Sequence, residues 1–343
     1  MNRRLRTAAA RLLAPAIVLA VFGLVLPRIA DYRDVVDVVR GLSWPAIAAL
    51  AVATVVNVVT FAPPWMAALP GLGLARALVL TQAATAVASV FPGGEAVGIG
   101  LQLTMLRAWR FRRGAVTAAT AVLTAFNLLV KVLIPLAAVT ALLVSGHGSG
   151  PLGLLTVAAV AILSALLGAT AVALRTRRST ASLGGSLDRL LARTPLLRRR
   201  MLEVPLAERL VRFRAETFDL LRRRWLRLAF WTLVGHLTVF VVLLVALRAV
   251  GVSSDEVSTL DAFAAWALVR LVTAIPITPG GIGVVELGLS AALVTAGGEN
   301  DGVVAAVLLF RLLTWLPPIV LGGPAALVWR RLHPAEVVAT PVP

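Results

Sequence analysis

Apolar residues along this chain run in blocks of about 15 to 25, the length at which a helix crosses roughly 30 Å of hydrocarbon. The blocks are Leu, Val and Ala without strict alternation, which favours helices over the strands of a barrel. Six of them predict full spans near 8–28, 44–62, 115–144, 152–174, 228–249 and 302–328. Two further apolar stretches, 75–108 and 262–296, are each interrupted by a helix breaker: Pro92-Gly93-Gly94 in the first, Pro279-Gly280-Gly281 in the second. The arms on either side are about 12 to 16 residues, or roughly 18–24 Å of helix, short for a crossing. They read as helical hairpins that enter the membrane and turn back, or as pairs of thin, tilted spans. Both readings leave the loops on the same sides. The fold class predicted is an all-α polytopic membrane protein, a single membrane domain over 1–343 with six full spans and two broken re-entrant hairpins.

Composition removes the soluble alternative. Hydrophobic residues make up 59% of the chain and charged residues 14%, against roughly 45–50% and about 25% in soluble domains. A soluble protein of this size would lack the polar surface to cover itself. There are no cysteines, which excludes disulfides and thiol chemistry. Arg3, Arg4, Arg6 and Arg11 precede the apolar run 12–26, but no small-x-small cleavage pattern stands before Asp31. A retained first span is expected rather than a cleaved signal.

The net charge of +17 raises the question of nucleic acid, and its distribution answers it. With the N-terminus inside, the inner segments hold 26 of the 33 basic residues and the outer ones four, beside eight acids. Long loops obey the positive-inside rule poorly, yet without the loop 175–227 the split is still 11 to 4. Both termini are therefore expected in the cytoplasm of a bacterial cell, with the chain in its plasma membrane. Nucleic acid is not an expected partner, because the basic residues flank spans and alternate with apolar ones. Two readings of the loop 175–227 stand. Apolar residues at Leu206, Leu210, Phe213, Leu221 and Trp225 suit an amphipathic helix on the inner leaflet. A solvated basic loop that only fixes topology suits the arginines equally.

The chain also repeats itself. FPGGEAVGIGLQLTML, from Phe91, is followed by a turn and a helix carrying Lys131 and ending at Pro135. TPGGIGVVELGLSAAL, from Thr278, is followed by a turn and a helix carrying Arg311 and ending at Pro317-Pro318. Each copy, 44–144 and 228–328, is span, broken hairpin, span. The extra span 152–174 turns the second copy over, giving an inverted repeat of the kind found in transporters. Irregular backbone at membrane depth needs protein or a water-filled cavity around it. A helix restarting after each break points its free N–H groups inward, an end suited to an anion such as a lipid phosphate.

Ionisable residues inside apolar segments cost several kcal/mol unless paired or hydrated, so they mark candidate sites. Glu95 follows the first break directly and either complements the helix dipole or belongs to a binding site. Glu286 lies deeper, five residues past Gly281, with Arg270 and Arg311 as its natural partners, in a structural ion pair or a working one. Lys131, the chain's only lysine, is the first-half counterpart of Arg311, and Gln82 stands roughly where Arg270 stands in the other copy. A structural hydrogen bond is expected of His236 in preference to a proton relay. Asn57 and Asn127 read as interhelical hydrogen-bonding residues.

On these residues, with LLFRLLTWLPPIVLGG after ITPGGIGVVE, the chain resembles the lysylphosphatidylglycerol synthase transmembrane-region family. The resemblance covers nearly the whole chain; its second-half motif is the more specific. It implies a lipid flippase module, like the membrane half of the bacterial multiple peptide resistance factor, which moves aminoacylated phosphatidylglycerol outward. Carried over by residue, it points to Pro279, Gly280, Gly281, Gly283, Glu286 and Arg311. In that factor a soluble synthase domain follows the membrane part. Here about a dozen residues follow Arg331, so a stand-alone member without synthase activity is expected.

The leading expectation is translocation of a phospholipid or polyprenyl-linked lipid between leaflets. Pro92, Gly93, Gly94, Glu95, Lys131, Arg270, Pro279, Gly280, Gly281, Gly283, Glu286 and Arg311 would form the substrate site. A secondary transporter of a small solute, or a non-transporting partner of a lipid-modifying enzyme, are the alternatives. An enzyme is not expected, because His147, His236 and His333 are scattered and no carboxylate cluster accompanies them. No cofactor or metal is expected, and no nucleotide-binding motif is present.

Overall fold

The computed structural model describes residues 37, 40–90, 94–144, 206–272, 279–281 and 283–329. Among these residues every regular element is helical. In chain order they are α1 (Trp44–Thr60), α2 (Ala62–Ala68), α3 (Leu74–Val90), α4 (Gly94–Ala108), α5 (Arg113–Val144), α6 (Leu206–Ala249), α7 (Thr259–Val272), a 3-10 turn (Pro279–Gly281), α8 (Val284–Thr295) and α9 (Asn300–Val328).

Among the described residues four stretches are long and apolar enough to cross a membrane: Trp44–Ala68, Arg113–Leu142, Phe213–Ala249 and Asn300–Ala325. They match the expected spans at 44–62, 115–144, 228–249 and 302–328. The expected spans at 8–28 and 152–174 lie outside the described residues, as do Pro92, Gly93 and most of the loop 175–227. At most 44% of each apolar window is buried within the protein. Val55, Leu133, Val241 and Val320 are exposed on these helices. Such outward apolar faces are what lipid-facing helices present.

Each broken stretch forms two short helices, α3 with α4 and α7 with α8, of 17, 15, 14 and 12 residues. The first pair closes on small residues. A Cβ at Gly98 would lie 2.8 Å from the Ala84 carbonyl, and one at Gly94 would lie 2.6 Å from the Ala88 carbonyl. Glycines spaced by four let the backbones approach this closely.

Two expectations are corrected. The helices after the hairpins do not end at their prolines: Pro135 lies inside α5, and Pro317 and Pro318 lie inside α9. A proline removes one backbone hydrogen bond, whereas ending a helix at that depth would strand up to about four carbonyls in hydrocarbon. The amphipathic segment from Leu206 is continuous with the span that follows it. At 44 residues and about 1.5 Å each, α6 is roughly twice as long as the hydrocarbon is thick. Its basic half holds Arg224, which donates to the Ala67 carbonyl at the end of α2 at 3.0 Å. Its other end is fixed by Arg248, which donates to the carbonyls of Val252, Ser253 and Val257.

The chain divides into two compact units. The first holds α1, Leu78–Leu101 and His236–Val328. The second holds Phe61–Ala77 and, of the described residues, 102–144, 206–235 and Trp329. In the first, α8 packs on α7 and α9, and α9 packs on α1. Asn57 on α1 donates to Thr238 Oγ1 on α6, the interhelical role expected of it, and Thr60 shares the same hydroxyl. In the second, α2 packs on α5.

Candidate binding site at the second broken hairpin

The turn between α7 and α8 is built from glycine in left-handed backbone: φ is +60° at Gly280, +71° at Gly281 and +82° at Gly283. Gly280 is fixed by space as well as by conformation. A Cβ there would lie 2.7 Å from Trp315 Nε1 and 3.0 Å from the Ser89 carbonyl. Because Gly283 is also left-handed, α8 does not restart at the PGG; it starts at Val284, with Gly283 as its N-cap.

That start corrects the reading of Glu286 as a residue deeper in its helix. Glu286 is the third residue of α8, in its first turn. Its Oε2 accepts the Gly283 N–H at 2.7 Å. Its Oε1 accepts Arg311 Nε at 2.6 Å, and Arg311 Nη2 donates to the Gly280 carbonyl at 2.9 Å. Carboxylate, guanidinium and turn therefore close a ring of charge-assisted hydrogen bonds. The two side chains are only 11% and 15% exposed. Breaking a pair buried in this way leaves an uncompensated charge, at about 3–5 kcal/mol.

Of the two partners expected for Glu286, Arg311 takes the role and Arg270 does not. The Arg270 guanidinium meets His236 Nδ1 on α6 and lies 5.5 Å from the centroid of the Trp266 ring. It also interacts electrostatically with Glu95. Trp266 is held in turn by Phe240 and Phe263, with ring centroids 5.5 and 5.8 Å away. His236 makes the hydrogen bond expected of it, and the bond runs to a charged partner. Glu95 is the second residue of α4 and is exposed.

Gln82 is buried, and its Oε1 accepts no hydrogen bond among the described residues. The Gln82 backbone carbonyl leaves no room for a side chain at Gly322. Lys131 sits half-buried on α5 in the second unit. Asn127 donates to the Leu123 carbonyl of its own helix. Among the described residues no three His, Asp or Glu side chains gather as a metal site.

Three members of this arrangement were not legible beforehand: Gly283 as donor to Glu286, Trp315 against the turn, and His236 against Arg270. Trp315 carried a signal, since it lies four residues past Arg311 and so on the same helix face. His236 and Arg270 are 34 residues apart on different helices, a distance no periodicity reports.

A search of curated proteins finds no match. The profile of the family described as Lysylphosphatidylglycerol synthase TM region matches residues 3–322. That span takes in three of the four long apolar helices among the described residues and most of the fourth, both broken stretches and the ring at Glu286, so this chain, a membrane protein, belongs to the lysylphosphatidylglycerol synthase transmembrane-region family.

Proposed function

We propose that the protein is a flippase-like transporter, moving an anionic or aminoacylated phospholipid or a polyprenyl-linked lipid between leaflets of the cytoplasmic membrane. The observation that carries this reading is the ring of Glu286, Arg311 and the Gly280–Gly283 turn. It holds a buried cation at a helix N-terminus where the backbone is irregular, between helices apolar enough to sit in lipid. Arg311 uses Nε and Nη2 within the ring, so the Nη1 edge of the guanidinium is the edge offered to a head-group phosphate. Membership of a family tied to lipid handling supports the same substrate class.

The rest of the architecture belongs to this proposal. Six spans, two re-entrant hairpins and an inverted repeat of 44–144 and 228–328 would place the two breaks on opposite approaches to the bilayer centre. The termini would be cytoplasmic. Membrane phospholipid is the partner, with a separate lipid-modifying enzyme supplying it where the lipid is aminoacylated. No catalytic step is assigned to the chain.

The test is exchange of labelled lipids across liposomes containing the purified protein. Phosphatidylglycerol, its lysyl form and a zwitterionic lipid are compared for wild type and Glu286→Gln. Selective exchange that the variant loses is the expected result. Exchange no faster than in empty vesicles, with or without an imposed ion gradient, would overturn the reading and favour a transporter of small solutes or an accessory subunit.

A further inference from the structure

The ring at Glu286 leaves a second polar group in the same unit without a role. His236 is 2% exposed, stands in the apolar part of α6, and presents Nδ1 to Arg270 Nη2. A guanidinium has only donors and keeps its proton. Nδ1 must then be the acceptor, the imidazole is neutral, and its own proton is on Nε2. A second proton at Nδ1 would set N–H against N–H and place two cations side by side. Protonation of His236 and its contact with Arg270 therefore exclude one another.

Arg270 has other attachments that survive such a change. The Trp266 ring lies beneath its guanidinium, and Glu95 attracts its charge. Glu95 is exposed in the first turn of α4, whereas His236 is sealed, so the site has one acid open to the surroundings and one buried base. Several other charged groups of the same unit are engaged elsewhere. Asp261 accepts from Ser258, Arg248 is bonded to loop carbonyls, and Glu286 holds Arg311. Neither α1 nor the stretch of α3 from Leu78 to Val90 contains an ionisable residue.

We propose that Glu95, Arg270 and His236 form a proton-coupling site. A proton that reaches His236 Nδ1 when the sealed site opens to water releases Arg270 toward Glu95 or an incoming phosphate. Its loss lets Arg270 return. Only an N–H bond forms and breaks, and the proton comes from water and goes back to it. The inference rests on the transport reading above and supplies its energy source, a proton gradient with no nucleotide.

The experiment uses the full chain in lipid nanodiscs, with isotope-labelled histidine followed by NMR through a pH titration. The chain has three histidines, and His236→Gln, which keeps a neutral acceptor for Arg270, assigns the signal. The expected result is a His236 ring that changes from neutral to cationic as the pH falls through the titration. Glu95→Gln removes the anion that attracts the freed Arg270 and should move the midpoint down. Arg270→Gln should move it up. In liposomes, wild-type lipid exchange should change roughly threefold or more over the same range, and His236→Gln should flatten that profile. A His236 ring that stays neutral throughout, a midpoint indifferent to Glu95→Gln, or an unchanged profile in His236→Gln would each overturn the proposal. A ring that titrates and shifts as stated while no lipid moves would sink the transport reading and leave the proton site standing.

Discussion

The two broken hairpins carry the same signature and use it differently. Both have a Pro-Gly-Gly and a glutamate in the helix that follows. In the second, the left-handed Gly283 delays the helix to Val284, so Glu286 falls at its third position and closes on Gly283 and Arg311. In the first, α4 begins at Gly94, and Glu95 lies exposed at its second position, within electrostatic reach of Arg270. One acid is locked into the structure; the other is exposed. A spacing of one residue against five after the glycines thus separates a buried, fastened acid from an exposed one.

The largest loss should come from Arg311→Ala. It strands Glu286 in a buried site and should lower stability by about 3–5 kcal/mol, read as thermal unfolding in detergent. The double variant Glu286→Gln with Arg311→Gln should recover most of that stability while exchange of lipid stays lost. Next is Gly280→Ala, which meets both a left-handed φ and the Trp315 ring. It should cost about 1–3 kcal/mol by the same assay. Glu95→Gln, in the open hairpin, should change stability by less than about 0.5 kcal/mol, and its effect should appear in the pH profile of exchange. Smallest is Asp219→Ala on the basic half of α6. Its partner Arg223 is one turn away and both are exposed, so no more than about 0.5 kcal/mol is at stake.

Much of this was legible because hydrocarbon imposes a length and glycine imposes a turn. The blocks at 44–62, 115–144, 228–249 and 302–328 reappear as long helices, and both interrupted stretches divide at their breakers. The prolines misled because their usual meaning, the end of a helix, assumes water to receive the freed carbonyls. The depth of Glu286 misled because a PGG marks where a helix breaks and not where it restarts; Gly283, two residues on, decides that. Arg311 was legible as a partner because a buried acid at membrane depth calls for a cation and few were available. The division of labour between Arg311 and Arg270 was not, since it depends on which helices pack together, and His236 enters only through that packing.

On the proposed function the ring geometry at the second hairpin, and not charge alone, handles the lipid phosphate. Arg311→Lys tests it most directly. Lysine keeps the charge but cannot hold Glu286 and the Gly280 carbonyl through one rigid fork while offering a further edge to phosphate. Exchange of labelled phosphatidylglycerol in liposomes should fall at least about tenfold in this variant, the equivalent of roughly 1.4 kcal/mol. Exchange equal to wild type would contradict the account and reduce the ring to a structural ion pair.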